Sequence, residues 1–412
     1  KEWIFMKIEM FHLCPYRDLP EDFRERYHSV WVDVPRHLFD GEIANRTYNQ
    51  TLDELKYAAE VGYDGICVNE HHQNAYGLMP SPNIMAAAMS RETEDVAIIV
   101  MGNSIALYDP PIRVAEEFAM LDCISGGRLV AGFPVGSAMD TAFGYGVNPA
   151  TLREKYAEAE ELILRAWEED DVFAFDGKYT QLRYVNLWPR PLQKPRPPIW
   201  VPGAGSIETW NTCIEKGHLY AYLSYSGFKR GKQVMDGFWK VARAAGVDNP
   251  YHAGFLQLVC VADNEQELHD KYAAHTEYFF NKMLHIYPGF ADPPGYRTID
   301  TIRAGLMAQT TSFGRAGQEE STFDELRDAG NVVAGTPEQV ADQLEQVIKD
   351  LRIGHLMILN QFGSIPHDLA KENIRRTAQE VVPKLRHLWP EYEDHWWPQN
   401  AVVRDNIGAM PE

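Results

Sequence analysis

The sequence predicts an α/β fold of the (β/α)8 class, a TIM barrel with insertions, on three observations. Short apolar stretches alternate with amphipathic helical stretches eight times along the chain, the pattern of a parallel sheet with crossover helices. Most of the apolar stretches stop in polar or glycine-rich loops, and a barrel builds its working face from the loops after its strands. The length, 412 residues, is one that such barrels reach by loop insertion. With no internal repeat and no linker, residues 1–412 read as one barrel domain.

Lys7–Leu13 alternates Ile8, Met10 and His12 against Glu9, Phe11 and Leu13 and reads as the first strand. An excursion over 14–41 follows, holding Tyr16, Tyr27, Trp31 and His37 among arginines; connections this long inside a compact domain usually carry function. Thr51–Val61 puts Leu52, Leu55 and Ala59 on one helical face, and Gly62 ends it. Gly65–Val68 is the second strand, apolar on both faces, and it stops at Asn69-Glu70-His71-His72. A small-residue helix with Ala86-Ala87-Ala88 leads to the third strand, Val96–Val100, which runs into Met101-Gly102-Asn103-Ser104. A helix with Val114, Phe118 and Leu121 inward precedes the fourth strand, Arg128–Phe133, which ends in Pro134-Val135-Gly136-Ser137. Thr151-Leu152-Arg153-Glu154 is a capping box, and a hairpin-like insertion over 173–187 comes after its helix. Pro197–Val201 is the fifth strand, followed by the turn Pro202-Gly203-Ala204-Gly205-Ser206. Leu219–Leu223 and Ala253–Val261 are the sixth and seventh strands. After the helix Glu265–Phe280, a glycine- and aromatic-rich insertion over 283–332 is placed to act as a lid. Thr336-Pro337-Glu338-Gln339 caps the next helix, His355–Leu359 is the eighth strand, a final helix reaches about Leu388, and 389–412 is a tail.

Composition narrows the function classes. Hydrophobic residues make up 45% of the chain, enough for a large core. A net charge of −20 argues against a nucleic-acid partner, which would want a basic face. The five cysteines are scattered without a C-x-x-C pair and read as reduced thiols. No apolar run approaches a membrane span and no signal peptide opens the chain; the expectation is a cytoplasmic protein with no membrane partner.

Three strand ends carry chemistry. His71, with Asn69 beside it, stands where a general acid, a base or an orienting group is expected, and His72 reads as supporting packing. Glu70, His71, His72 and His12 make a metal-dependent hydrolase the rival, but the His-x-His usual in such barrels is absent, and no metal is expected. Gly203-Ala204-Gly205-Ser206, between a strand and a helix, lets backbone N–H groups and a helix N-terminus approach an anion such as phosphate. Gly102-Asn103 permits strained backbone at a strand end. Gly136 and Ser137, after the fourth strand, are placed with the cofactor-binding set. His12, Trp31 and Tyr76 are the expected substrate-side residues.

Read jointly, a series of motifs running from about residue 7 to 385 resembles the bacterial luciferase-like flavin monooxygenase family. They are Asn69-Glu70-His71-His72, Gly77-Leu78 with Ala86-Ala87-Ala88, Gly102-Asn103 with Pro111-Ile112-Arg113, Leu121-Asp122 with Ser125-Gly126-Gly127-Arg128-Leu129, Phe143-Gly144, Pro198–Val201 with Ser206 and Trp210, and Gly335-Thr336-Pro337-Glu338. The resemblance implies a barrel that takes reduced FMN as co-substrate from a separate NAD(P)H:flavin reductase. It implies reaction with O2 to a flavin hydroperoxide, oxygenation of a small organic substrate, and a homodimer. It carries the active-site histidine onto His71, a cis peptide under the flavin ring onto Gly102–Asn103, and the phosphate turn onto Gly203–Ser206. Luciferase itself has Cys and Arg where this chain has Pro134 and Val135, so the phosphate must be held otherwise. A deazaflavin-dependent oxidoreductase on the same fold and a non-catalytic partner subunit are the alternatives within that resemblance.

Overall fold

The computed structural model describes residues 6–223, 225–307 and 319–399, the side chains of 304–307 excepted. In chain order the strands are β1 (Lys7–Phe11), β2 (Gly65–Val68), β3 (Ala97–Val100), β4 (Leu129–Gly132), β5 (Phe173–Asp176), β6 (Gln181–Val185), β7 (Ile199–Gly203), β8 (Leu219–Tyr222), β9 (Ala253–Val261), β10 (Val332–Gly335) and β11 (His355–Leu359). β1 pairs in parallel with β2 on one side and β11 on the other, and β8 closes the ring against β9 with Tyr220 opposite Ala253. The expected barrel is thus borne out as eight parallel strands in the order β1-β2-β3-β4-β7-β8-β9-β11. β5 and β6 form the expected hairpin outside it.

Alternation within each short strand builds two cores. Phe11, Cys67, Ile99, Val130, Trp200, Leu256 and Met357 belong to one apolar cluster that also takes in the excursion's Phe23 and Trp31. Ile8, Ile66, Ile98, Leu129, Val201 and Leu356 belong to the other, against helix residues such as Leu55, Phe118 and Leu344. Both faces of a strand are covered, which is why the strands are apolar runs rather than alternating ones. Among the described residues no helix is long and apolar enough to cross a membrane.

Three local expectations are corrected. The first barrel helix spans Gly41–Val61 rather than starting at Thr51, because Asp40 accepts the N–H groups of Glu42 (2.7 Å) and Ile43 (3.3 Å) and caps it there. The segment read as an insertion up to 332 runs straight into an unforeseen parallel strand, β10. β8 pairs only with residues 253–255 of β9, and β10 takes the places opposite 258–261. A strand of four residues, Val332–Gly335, has too little pattern to be recognised next to polar sequence. The final helix is α-helical only to Arg376 and continues as a π turn, Thr377–Val381, and a 3-10 turn that ends at Lys384, short of the expected Leu388.

The tail is part of the barrel's closure. Its described part, 389–399, lies across the N-terminal ends of the strands, where Trp396 O accepts Trp200 Nε1–H at 2.9 Å and Trp396 Nε1–H reaches Gly217 O at 2.9 Å. His355, the first residue of β11 and fully buried, donates Nδ1–H to Glu9 (3.0 Å) and places Nε2 3.5 Å from Asp394 of the tail.

Candidate active site

At the opposite, C-terminal end, the loops after β2 and β4 and the excursion after β1 converge on one carboxylate, Asp140. Its position is set locally. Ser137 Oγ accepts the Asp140 N–H (3.2 Å) and donates to Asp140 Oδ2 (2.7 Å), at the start of the turn Met139–Gly144. Asp140 is 2% exposed. Its Oδ2 also receives His71 Nδ1–H at 2.9 Å. Its Oδ1 accepts His72 N–H (2.8 Å), Trp31 Nε1–H (3.3 Å) and Asn74 Nδ2–H (3.4 Å). Burial would raise the Asp140 carboxyl, but the His71 ring and these donors outweigh it and hold Asp140 below the usual carboxylate range. An ionised Asp140 keeps the proton on His71 Nδ1 and leaves Nε2 as the atom His71 can offer to chemistry.

The His71 ring is boxed on two sides. Trp31 and Tyr76 meet it edge-on, each with centroids 4.9 Å away, and stack on each other at 4.0 Å. The Tyr76 hydroxyl is hydrogen-bonded to that of Tyr225. Gly77 backs the ring: a Cβ there would lie 3.2 Å from His71 Cδ2 and 3.0 Å from Leu13 O, so a side chain at 77 would press on the His71 ring. The two neighbours of His71 are tied together. His72 Nε2 lies 3.0 Å from Glu70, which also accepts the Tyr108 hydroxyl (2.8 Å) and the Ser104 N–H (2.5 Å), clamping the loop after β3 to the loop after β2.

The phosphate-type turn is formed as its sequence suggests. Gly205 has φ +108°, and Ser206 caps the helix Ile207–Lys216 by accepting Thr209 N–H. Arg153, from the helix Leu152–Glu168, donates to Ser206 Oγ at 2.9 Å, and its buried Nε has no hydrogen-bond partner. Glu208 accepts the Ser206 hydroxyl at 2.6 Å. Gly102 fits under β4 with no room for a side chain, since a Cβ would lie 2.2 Å from Gly132 O. The Gly102–Asn103 peptide is trans, correcting the expected cis bond; the bend is made instead by Asn103 N–H reaching Gly132 O at 3.0 Å. Asn69 Oδ1 and Asn103 Nδ2 are buried without partners.

The chain that carries this barrel has known relatives. The sequence pattern of the luciferase-like monooxygenases matches residues 29–353. The chain belongs to that family. The oxygenase component of flavin-dependent trigonelline monooxygenase from Acinetobacter baylyi is 28% identical over 370 residues, 86% of this chain and 94% of that one. An F420-dependent glucose-6-phosphate dehydrogenase from Intrasporangium calvum is 24% identical over 360 residues, 82% of this chain and 95% of the relative. Among solved structures, the oxygenating constituent of 3,6-diketocamphane monooxygenase from Pseudomonas putida, in complex with FMN, has the same fold with a TM-score of 0.69 at 17% identity, covering 92% of this chain and 98% of that one. The family thus contains both FMN monooxygenases and F420-dependent oxidoreductases.

In this luciferase-like chain the structure brings the expected catalytic His71 against the expected substrate-side Trp31 and Tyr76, and Gly203, Ala204, Gly205 and Ser206 form one turn ahead of a helix. His12 is not brought to them. It is fully buried, Nδ1 accepts Cys14 N–H (2.9 Å) and Nε2–H donates to Glu54 (2.7 Å), so it has no atom left for a substrate. Ser137 spends its hydroxyl on Asp140 and Gly136 spends its carbonyl on the Tyr296 hydroxyl (2.6 Å). Asp140, Arg153, Glu208 and Tyr225 were missed, while Tyr296 was expected only as an aromatic of the lid; of the four, only Asp140 had a local signal, its spacing of three from Ser137. The residues of the rival metal reading are dispersed onto separate carboxylates: His12 on Glu54, His72 on Glu70, His71 on Asp140. Among the described residues the one group with metal-ligand spacing is Glu265, His269 and Asp324, both carboxylates exposed, where Arg327 already pairs with Glu265 and Asp324.

Proposed function

We propose that this protein is the oxygenase of a two-component monooxygenase, binding reduced FMN delivered by a separate NAD(P)H:flavin reductase and using O2 to oxygenate a small organic substrate. The observation that carries the reading is a set of buried polar atoms left unpartnered at the barrel mouth: Asn69 Oδ1, Asn103 Nδ2 and Arg153 Nε. Such atoms are costly unless a ligand meets them. A flavin fits: its polar ring edge suits the two asparagines, and its phosphate suits Arg153, Ser206 and the helix N-terminus. Gly102, Gly136, Gly203, Ala204 and Gly205 line the approach. The relative named as an oxygenase component supports a separate reductase.

When bound, reduced FMN supplies two electrons to O2, one oxygen atom going to the substrate and the other to water. The chain's own part is to fix geometry and protons. Asp140 holds His71 so that the Nε2 lone pair faces the reacting edge and can take up a proton there. Trp31, Tyr76 and Tyr225 keep water from that edge. Phosphate is held by Arg153 in place of the arginine that luciferase has after its fourth strand. A homodimer is supported by Ile84 (71% exposed) and Met120 (56% exposed), apolar side chains on the helices Pro82–Glu92 and Ile112–Ser125. A cytoplasmic location fits the reduced cysteines.

The second reading, a deazaflavin-dependent oxidoreductase, is favoured by the F420-dependent relative. Anaerobic titration with reduced FMN, reduced riboflavin and reduced deazaflavin separates the two. FMN is expected to bind at least about tenfold more tightly than riboflavin, with Gly205→Val weakening FMN alone. Saturable binding of deazaflavin without FMN binding would overturn the reading.

A further inference from the structure

Glu208 occupies a position that works against its own site. The turn Gly203–Ser206 offers an anion three things: the helix N-terminus, the Ser206 hydroxyl and Arg153. Glu208 already takes the hydroxyl at 2.6 Å, and its charge cancels that of Arg153, which bonds to the same Ser206 oxygen at 2.9 Å. Burial alone would raise the Glu208 carboxyl, but Ser206, Thr298, its own N–H and Thr301 hold it down at about 2, so it is ionised.

Both remaining acceptor positions of Glu208 are filled from one segment of the insertion after β9. Thr298 Oγ1 donates to Oε1, and Thr301 Oγ1 donates to Oε2 at 2.9 Å. Residues 288–303 cross the mouth from the loop after β4 to this turn. Phe290 meets Phe143 edge-on at 5.0 Å, Gly295 lies against Ala150, and Tyr296 donates to Gly136 O at 2.6 Å. Outside its own short helices the described backbone hydrogen bonds of the segment are local: Phe290 N–H to Tyr287 O, Tyr296 N–H to Pro293 O and Ile302 N–H to Thr298 O. Among the described residues its side-chain hydrogen bonds to the barrel are those of the Tyr296, Thr298 and Thr301 hydroxyls, and two of those three end on Glu208. A segment held by a few side-chain bonds opens at low cost.

We propose that Glu208 is an internal surrogate for a ligand phosphate, latching residues 288–303 over the mouth when the turn is empty, and that a phosphate-bearing cofactor displaces it and frees the strap. The arriving dianion takes Ser206 Oγ–H and Arg153; Glu208, repelled, gives up its place and with it Thr298 and Thr301. The cofactor then binds before the organic substrate, because the strap clears only once phosphate is seated. This rests on the reading of Gly203–Ser206 as the phosphate turn.

The test is hydrogen–deuterium exchange of the full chain under anaerobic conditions, alone and with reduced FMN or reduced riboflavin. Reduced FMN is expected to speed exchange in 288–303 at least about fivefold, and riboflavin, which lacks phosphate, to leave it unchanged. The double variant Thr298→Val/Thr301→Val is expected to exchange fast there without cofactor. Glu208→Gln is expected to bind FMN about tenfold more tightly with riboflavin affinity unchanged. FMN binding with slower or unaltered exchange in 288–303, or an unaltered FMN-to-riboflavin affinity ratio in both variants, would overturn the latch. If FMN and riboflavin bind the parent equally, or neither binds, the phosphate reading itself falls and the latch with it.

Discussion

Asp140→Asn is the substitution that most directly separates a working pair from a structural one. The amide has the size of the carboxylate, so no cavity opens, but it can no longer accept on both sides. Oδ1 serves three donors, His72 N–H, Trp31 Nε1–H and Asn74 Nδ2–H, while Oδ2 serves His71 and Ser137. The amide oxygen therefore keeps the Oδ1 side and the NH2 turns to the Oδ2 side. Ser137 adapts by rotating its hydroxyl. His71 adapts only by becoming an acceptor at Nδ1, which moves its proton to Nε2 and removes the lone pair from the reacting edge. Loss of a hydrogen bond with a charged partner costs about 1.5–3 kcal/mol of stability, and loss of a positioned proton-transfer group costs turnover about 10²–10⁴-fold. The stability effect has a defined pH sign. Asp140 has a folded pKa below its unfolded one, so the stability it adds is present above about pH 4 and is lost as pH falls through the folded value. Parent and variant should differ in urea unfolding at pH 7 and converge in acid. The decisive assay is 15N NMR of histidine-labelled protein at a pH where His71 is neutral: the parent carries the proton on Nδ1 and the variant on Nε2. An unchanged His71 tautomer, or turnover within twofold of the parent, would refute the reasoning.

His71→Ala is expected to lower turnover about 10²-fold or more with reduced-flavin affinity retained, measured as product formed and hydrogen peroxide released per flavin oxidised. Burial alone would lower the His355 pKa, but Asp394 and Glu9 raise it from 6.5 to about 9. That contribution, about 3 kcal/mol at most, is full below about pH 6.5 and lost as pH rises through 9; His355→Gln should flatten the alkaline fall seen by tryptophan fluorescence in urea. Sedimentation at micromolar concentration should give a dimer mass, and Ile84→Asp with Met120→Asp a monomer; a parent monomer would remove the proposed interface.

The sequence by itself determined the barrel, because runs such as Gly65–Val68 and Ala97–Val100 are apolar on both faces and each ends in a polar or glycine loop. That is a local property of consecutive residues, and it also marked His71 and the Gly203–Ser206 turn, where a φ of +108° requires Gly205. What only the tertiary structure decided is which distant groups meet there. Asp140 is 69 positions from His71, Arg153 is 53 from Ser206, and Thr298 is 90 from Glu208. His12 looked available on a strand that alternates correctly, yet Glu54, 42 positions later on a helix, takes its Nε2. β10 escaped notice because a four-residue strand is specified by its partner β9 rather than by its own pattern. Periodicity is set by the backbone within one element, whereas the pairing of charges across loops is set by closure of the barrel, which brings those loops to one mouth.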